Sequence, residues 1–456
     1  MAPLLVIGRD VVTMNARREI IRDGAVLVEN GRITAVGKAT DLRGAHPGVA
    51  ELGDAHAVIT PGFVNAHQHL TGDRLVRSAI PDNIAAHDAI FGWAVPVHVA
   101  HTEADDELSA VASCVEQAGN GFTTVIEAGT VAHPLAVARG IETVGLRGRV
   151  GRWGWDIDDA PYAAPCEQVI EQQRANVEAL AGFERVAGWV TLVGHDLMSD
   201  ELAAGASQLA RELGTGLTFH ISPHTADVDS YITRTGRRPL VHLDHLGVLG
   251  RHVLLAHAVH LDDAEADAVL RTGTAIAYTP WAYLRLGPGV GAAGRHAELA
   301  RRGARIALGA DAENAGDALD GLRVAALCAG LAKDQASDPT QFGAHDAFEL
   351  LTIRGAEAVG MAAEIGSLEV GKWADIVVFD TSGSEWTARS EDVILQLVWA
   401  SDGRAVRDVV VGGDVIVRRG RSTRVDRDDL RREVASARTA LLGRAGLAPA
   451  SRWPVV

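Results

Sequence analysis

Cysteine is scarce in this sequence, which has three in 456 residues. Cys114, Cys166 and Cys328 lie far apart and form no CxxC pair, which argues against a disulfide framework and against a zinc site built on cysteines. No apolar run approaches the roughly 20 residues that a membrane-spanning helix needs. The first residues, MAPLLVIGRD, lack a basic leader and indicate a strand. A soluble, cytoplasmic protein is therefore expected.

Positive charge is also in deficit. Lys and Arg number 43 against 59 Asp and Glu, so the formal net charge is -16. Such a surface repels phosphate backbones and anionic lipids, and neither nucleic acid nor membrane is expected as a partner. Hydrophobic residues make up 47% and charged residues 22%, which is a globular composition. The length suffices for an α/β barrel of about 250 residues and a smaller module.

The two ends of the chain have the pattern of β-strands. Residues 1–58 hold short apolar runs separated by turn signals such as the NG of VENGRI, and residues 366–456 return to that pattern, with GG as a turn. Both ends are expected to form one discontinuous β-sandwich around a central domain, residues 59–365. The stretch 426–442 has helical spacing and is expected to be a surface helix.

The central domain alternates short strand-like runs with helical stretches, which predicts a parallel sheet. Eight runs are found: GFVNAH, GFTTVIEAG, RVGRWGWDI, AGWVTLVGH, GLTFHIS, VLLAHAVH, TAIAYTP and RIALGAD. Eight such units predict a (β/α)8 barrel, a fold whose active sites lie at the C-terminal ends of the strands.

Polar residues cluster at those predicted strand ends. In order they are His67 and His69, Glu127, Asp156 and Asp158, His195 and Asp196, His220, His257, Tyr278 and Asp311. His67 and His69 are two residues apart, so on a strand both would point the same way. Imidazoles with a carboxylate are typical ligands of zinc and of the metals that replace it. The pattern indicates a catalytic metal site.

Five motifs together resemble the amidohydrolase superfamily. They are PGFVNAHQHL, the His220 run, LLAHAVHL, LGADAENAG and GSLEVGKWADIVVFD. The resemblance is to the branch that contains atrazine chlorohydrolase, guanine deaminase and adenosylhomocysteine deaminase, and it covers nearly the whole chain. It implies a barrel with a split β-sandwich and, since such relatives are often dimers or larger, a homo-oligomer.

The resemblance also implies roles for single residues. His67, His69, His220 and Asp311 match the metal ligands, and Asp311 matches the carboxylate that takes a proton from the metal-bound water. His257 matches the sixth-strand histidine, which either polarises the scissile group or binds a second metal. Zinc is the expected ion, with cobalt, iron or manganese as alternatives, and one or two ions per chain are expected.

Two positions depart from the pattern of the family. Deaminase-type members have a glutamate three residues after the fifth-strand histidine, where this chain has Pro223. His224 is either its replacement or a loop histidine. Two-metal members have a lysine on the fourth strand, where this chain instead offers His195. His195 is therefore expected either to bind a second metal or to make a structural hydrogen bond.

The segment RSAIPDNIAAHDAIFGWAVPVHVAHTEADDE resembles the corresponding region of phenylurea and molinate hydrolases. His98 and His101, which lie within it, are expected to be surface or core residues. Aromatic residues fall at strand ends and in loops of the barrel: Phe91, Trp93, Trp153, Trp155, Trp281 and Tyr283. They favour a small apolar or aromatic substrate, although each can equally be a packing residue.

Together these features predict a metal-dependent hydrolase. The first expectation is cleavage of a C–N bond next to a carbonyl in an N-substituted amide, phenylurea or (thio)carbamate, as in xenobiotic degradation. The alternative is an aminohydrolase, deaminase or dechlorinase acting on a heterocyclic ring such as a triazine, purine or pterin. A third alternative is a catalytically silent metal-binding scaffold.

Overall fold

The structure of the protein is a computed structural model that describes residues 2–71, 74–157 and 160–455. Strands from both ends of the chain form one eight-stranded sheet. Its strands are β1 (Leu4–Val12), β2 (Ile20–Glu29), β3 (Arg32–Lys38), β4 (Ala50–Pro61), β14 (Ile376–Phe379), β15 (Val406–Val411), β16 (Asp414–Arg418) and β17 (Arg421–Ser422). Their order in the sheet is β17-β16-β15-β14-β4-β1-β2-β3. The antiparallel pair β4 and β14 joins the two ends, as the sequence predicts.

Two predicted turns are confirmed by their backbone angles. Asn30 and Gly31, between β2 and β3, have φ of 50° and 79°. Gly412 and Gly413, between β15 and β16, have φ of 55° and 84°. Two successive residues of positive φ make the turn whose twist matches that of paired strands, and asparagine and glycine tolerate it best.

The central part of the chain is the predicted (β/α)8 barrel. Its strands are β5 (Phe63–Gln68), β6 (Phe122–Glu127), β7 (Arg147–Val150), β8 (Val186–Gly188), β9 (Val190–Gly194), β10 (Leu217–Ile221), β11 (Val253–His257), β12 (Ala275–Tyr278) and β13 (Arg305–Leu308). Only Trp189 separates β8 from β9, and these two pair with β7 and β10 respectively, so together they fill one barrel position. The backbone N–H of Asp311 donates to the carbonyl of His67 at 2.9 Å, which closes the barrel between β13 and β5.

The third strand differs from its prediction. The run RVGRWGWDI spans residues 149–157, whereas β7 ends at Val150. Beyond it the chain packs closely on the neighbouring strand, because a Cβ at Gly151 would lie 2.0 Å from the Thr191 side chain and one at Gly154 would lie 2.3 Å from the Thr191 carbonyl. The apolar residues of this stretch therefore belong to an irregular loop and not to a strand.

Most of the helices pack around the barrel, whereas the first packs on the eight-stranded sheet. They are α1 (Ala39–Ala45), α2 (Ala86–Ala89), a π-helical turn (Ile90–Ala94), α3 (Val95–Ala100), α4 (Glu103–Gly119), α5 (Pro134–Val144), α6 (Cys166–Ala179), α7 (Asp200–Glu212), α8 (Thr225–Thr235), α9 (Pro239–His245), α10 (Asp263–Thr272), α11 (Pro280–Leu286), α12 (Val290–Ala293), α13 (His296–Arg301), α14 (Gly321–Ala336), α15 (Ala344–Leu351), α16 (Ile353–Ala358), α17 (Val393–Ala400) and α18 (Arg427–Ala445). Among the described residues, none of these helices has the length and apolar character needed to cross a lipid bilayer.

The last helix, α18, confirms the predicted C-terminal helix. Asp426 caps it by accepting hydrogen bonds from the backbone N–H groups of Asp428 and Asp429. Its apolar side is not free: Leu441 is buried in a cluster with Leu75 and Val97. The helix therefore packs against the segment between β5 and α4, and residues of that segment form one wall of the site described below.

A buried ion pair joins the barrel to the eight-stranded sheet. Arg147 on β7 donates to both carboxylate oxygens of Asp375, at 2.7 and 3.1 Å, and both side chains are buried. Asp375→Ala would leave the guanidinium buried without a counter-ion, so we expect urea denaturation to show a loss of about 3 to 5 kcal/mol. Glu51→Ala, which breaks the exposed Arg43–Glu51 pair, is the control, with an expected loss below about 1 kcal/mol. Equal losses in the two variants would contradict this assignment.

Candidate active site

Four side chains converge at the C-terminal ends of the barrel strands. His67 is on β5, His69 follows that strand, His220 is on β10, and Asp311 follows β13. Alternation along β10 explains one of these placements. Phe219 and its neighbours two residues away pack in the main apolar cluster, so His220 points to the opposite face of the strand.

The distances between these side chains are short. Asp311 Oδ1 lies 3.6 Å from His67 Nε2 and 3.4 Å from His69 Nε2. His69 Nε2 and His220 Nε2 are 3.3 Å apart. Two sets have donor atoms that all lie within 4.8 Å of one another: His67, His69 and His220, and His67, His257 and Asp311. Five of the six predicted ligands are thus brought together, and their role as ligands stays a prediction.

The donor set fits a divalent metal. His67 Nε2 is buried and has no hydrogen-bond partner among the described residues. His220 donates from Nδ1 to the Val193 carbonyl at 2.7 Å, so Nε2 of the neutral ring carries a lone pair that can bind a metal. Two ligands that each lie 2.0 to 2.1 Å from a tetrahedral ion are about 3.4 Å apart, close to the His69–His220 separation. A cation is the group that satisfies these nitrogens together.

Hydroxyl groups orient two of the imidazoles. His69 Nδ1 lies 2.8 Å from Thr130 Oγ1, and His257 Nδ1 lies 3.3 Å from Thr279 Oγ1. A hydrogen bond at one ring nitrogen fixes the tautomer and leaves the other nitrogen for a metal. Neither threonine is predicted from the sequence as part of the site. The available signal is their position, since Thr130 and Thr279 each follow a barrel strand closely.

Burial sets the charges of the site. It lowers the pKa of His67, and those of His220 and His257 fall well below the usual value for the same reason. Burial alone would raise the pKa of Asp311, but its contacts with His67 and His69 hold that pKa well below the ordinary range. Neutral imidazoles and an ionised carboxylate are the protonation states that bind a metal.

Several residues at the strand ends have a left-handed backbone. The φ angle is 56° at His195, 75° at His257 and 64° at Asp311. Residues other than glycine rarely adopt positive φ, and such strain persists only where the surrounding structure enforces it. Three residues that the sequence singles out are therefore held in conformations that cost free energy, as is common in active sites.

His195 and His224 lie in the wall of the cavity over these ligands. The ring of His195 stacks on that of His220, with centroids 5.4 Å apart, and its Nδ1 lies 2.8 Å from Asp227 Oδ2. His195 belongs to neither ligand set, so its predicted metal-binding role has no geometric support here and stays a prediction. His224 precedes α8, and burial lowers its pKa.

The sequence offers three carboxylates that could support a ligand imidazole: Glu127, Asp156 and Asp158. Asp156 accepts hydrogen bonds from the backbone and hydroxyl of Ser199, at 2.8 and 2.5 Å, and so stabilises the start of α7. Asp158 lies outside the described residues. Glu127 is the carboxylate near the ligands, because it faces the backbone N–H of Thr130, the residue that orients His69.

Glu127 predicts a pH dependence of stability. Burial raises the pKa of its carboxyl group from 4.5 to about 7. The folded protein therefore holds this proton more tightly than the unfolded chain, so the free energy of unfolding falls as the pH rises from 4.5 to about 7. In metal-free protein we expect wild type to lose about 3 kcal/mol relative to Glu127→Gln across that interval, measured by urea denaturation. Parallel pH profiles of the two proteins would refute this.

A cavity of about 640 Å³ opens above the four converging side chains. Most of its wall is apolar, and its volume is in the range of small-molecule sites. Four of the predicted aromatic residues line it: Phe91, Trp153, Trp155 and Tyr283. Trp93 and Trp281 are not among its described lining residues. The cavity has room for a substrate of the size of a substituted bicyclic ring.

The sequence matches known families over most of its length. The Amidohydrolase family profile matches residues 58–416, and an imidazolonepropionase-like composite domain of bacteria matches residues 24–48. The chain is 30% identical, over 94% of its length and 95% of the relative's, to a 5-methylthioadenosine/S-adenosylhomocysteine deaminase of Nitratidesulfovibrio vulgaris strain Hildenborough. A protein of the same name from Thermodesulfovibrio yellowstonii is 26% identical, over 92% of this chain and 94% of the relative.

Solved structures share the fold. An adenosine deaminase from Xanthomonas campestris with bound zinc superposes with a TM-score of 0.91 at 24% identity, covering 97% of this chain and 99% of that one. An atrazine chlorohydrolase from Arthrobacter aurescens TC1 complexed with zinc has a TM-score of 0.80 at 22% identity, covering 96% of this chain and 100% of that one. The chain therefore shares its overall fold with these solved structures.

Proposed function

This chain belongs to the amidohydrolase family, and from that premise we propose that it hydrolyses the bond between a ring carbon and an amino group of an apolar nitrogen heterocycle, releasing ammonia. Family membership makes it a hydrolase of carbon–nitrogen bonds other than peptide bonds. One observation carries the proposal: a buried carboxylate, Asp311, lies within 3.6 Å of two imidazole nitrogens at the floor of an apolar cavity. The deaminase names of the relatives support the ring substrate.

The proposed ion is zinc, which two of the similar structures contain. His67, His69, His220 and Asp311 would hold it. When bound, a divalent cation would supply Lewis acidity that lowers the pKa of water to about 7.

Asp311 is placed to move the proton. Its carboxyl group is ionised, because its pKa is held well below the ordinary range. Its Oδ1 lies within 3.6 Å of the Nε2 atoms of His67 and His69, and Thr279 Oγ1 lies 3.5 Å from its Oδ2. Asp311 can accept a proton from the attacking water as the C–O bond forms and the ring carbon becomes tetrahedral, with an electron pair moving to the ring nitrogen. It can then return that proton to the amino group, which leaves as ammonia when the pair returns and the C–N bond breaks. His257, in the same donor set, lies where it can stabilise charge that develops on the substrate.

Product analysis tests the proposal. Zinc-loaded protein is incubated with amino-substituted purines, pterins, pyrimidines and triazines that carry apolar substituents, and with phenylureas, anilides and thiocarbamates of similar size. Ammonia released from a ring amine by wild type, and not by Asp311→Asn, is the expected result. Release of an organic amine from the ureas or carbamates, with no ammonia from any ring, would contradict it.

A second candidate is hydrolysis of an amide, urea or thiocarbamate. The sequence analysis placed this reaction first, and the deaminase names of the relatives reverse that order. One observation still favours it: Pro223 and not a carboxylate lines the cavity three residues after His220. Acyl cleavage needs no protonation of a ring nitrogen, so it does not require an acid there. The same product analysis separates the two candidates.

A further inference from the structure

His98 is a polar residue in the apolar wall of the cavity. It is on α3, its side chain is 5% exposed, and it lines the cavity. Within the described ranges its Nδ1 is buried without a hydrogen-bond partner, and none of the hydrogen bonds of the structure reaches its other ring nitrogen. The sequence analysis expected a surface or core residue. Nε2 is not among the fully buried atoms without a partner, so it is the nitrogen that a ligand in the cavity can reach.

His98 lies at the end of the cavity nearest the metal ligands. Its ring centroid is 6.2 Å from that of His69 and 5.8 Å from that of Trp153, which meets it edge to face at 86°. A planar substrate whose reacting carbon reaches Asp311 would therefore pass beside both the indole and the imidazole. Aromatic neighbours of this kind hold a ring in place without choosing among its atoms.

The imidazole of His98 faces a cavity whose wall is mostly apolar. A neutral imidazole has one N–H donor and one lone pair. An apolar wall offers Nε2 few polar neighbours, so a polar atom of a ligand that enters the cavity can form a hydrogen bond with it. His98 is thus suited to a hydrogen bond with a heteroatom of the ligand.

Neighbouring residues hold this part of the wall in place. His101, three residues further on, binds Asp106 through Nδ1 at 2.8 Å, and His133 binds the other oxygen of Asp106 at the same distance. Thr102 caps α4 directly afterwards. The end of α3 is therefore anchored to α4 and α5, which fixes the position from which His98 projects.

We propose that His98 is a substrate-contact residue that hydrogen-bonds to a ring nitrogen or oxygen of the heterocycle and so selects such rings over hydrocarbon rings of the same shape. This inference rests on the proposed function only for the class of ring. It assigns specificity, not chemistry, to His98.

Ligand binding without turnover tests it. Zinc-loaded protein is titrated with quinazoline and with naphthalene, which share a shape but differ in ring nitrogens, and binding is followed by tryptophan fluorescence. Loss of one hydrogen bond is expected to reduce the preference for quinazoline about tenfold in His98→Phe, with naphthalene binding little changed. His98→Asn, which keeps a donor and an acceptor, is expected to restore part of the preference. The exposed His345→Phe is the control and should bind as wild type.

An unchanged preference for quinazoline in a folded His98→Phe would overturn the inference. Equal weakening of both ligands in His98→Phe and His98→Asn would also overturn it, because that pattern indicates a packing role. Failure of the proposed function has a different signature: no ammonia is released from any ring, whereas the binding preference still depends on His98.

Discussion

Replacing Asp311 with asparagine is expected to lower kcat for ring deamination by at least about 10³-fold, because the amide cannot take a proton from water or return it to the leaving nitrogen. Asparagine has the same shape and tolerates the left-handed backbone at this position, where φ is 64°. The fold should therefore survive. Steady-state kinetics with the ring amine that releases most ammonia measures the loss.

Asp23→Asn is the matched control. Asp23 is exposed on β2 and also has a left-handed backbone, with φ of 47°, so the same substitution there tests only its general effect on the chain. Its kcat should equal that of wild type. The third alternative from the sequence, a silent metal-binding scaffold, predicts that Asp311→Asn changes no activity. That outcome would overturn the catalytic assignment.

Replacing His220 with alanine is expected to weaken zinc binding by at least about 100-fold, more than the loss of a residue that merely orients a ligand. The remaining imidazoles would no longer surround the ion. Zinc content after dialysis, measured by elemental analysis, should fall towards zero, and activity should fall with it. Thermal stability should also decrease, because a metal that binds the folded state alone stabilises it.

His56→Ala provides the comparison for His220→Ala, because His56 is exposed on β4 of the eight-stranded sheet. Its zinc content and melting temperature should match those of wild type. Wild-type zinc content in His220→Ala, with activity retained, would show that the ion is bound elsewhere.

The sequence predicts the ligands because their spacing is local or lies at strand ends. His67 on β5 and His69 directly after it are two residues apart and so point the same way, and Asp311 ends a run that repeats the strand–helix rhythm. The hydrogen-bond partners of the imidazoles around the site could not be predicted in this way. Thr130 and Asp227 reach their imidazoles across the barrel rim, and no pattern in the chain records such contacts.

Bounds of elements and the reaction class were harder to predict. The run after Val150 is apolar enough for a strand, yet close packing against Thr191 takes it out of the sheet. His98 lies on a short helix whose place above the ligands depends on α18, more than 300 residues further along the chain. The sequence favours acyl cleavage because Pro223 stands where deaminase-type members have a glutamate. The structure places His195 and His224 in the same cavity wall, so the missing carboxylate does not by itself decide the reaction class.

Anomalous diffraction at the zinc edge, recorded from crystals of the zinc-loaded protein, tests the central claim most directly. The account predicts an anomalous peak among the donor atoms of His67, His69, His220 and Asp311. A protein that binds zinc with no peak among these side chains, or a peak only at another part of the chain, would contradict it.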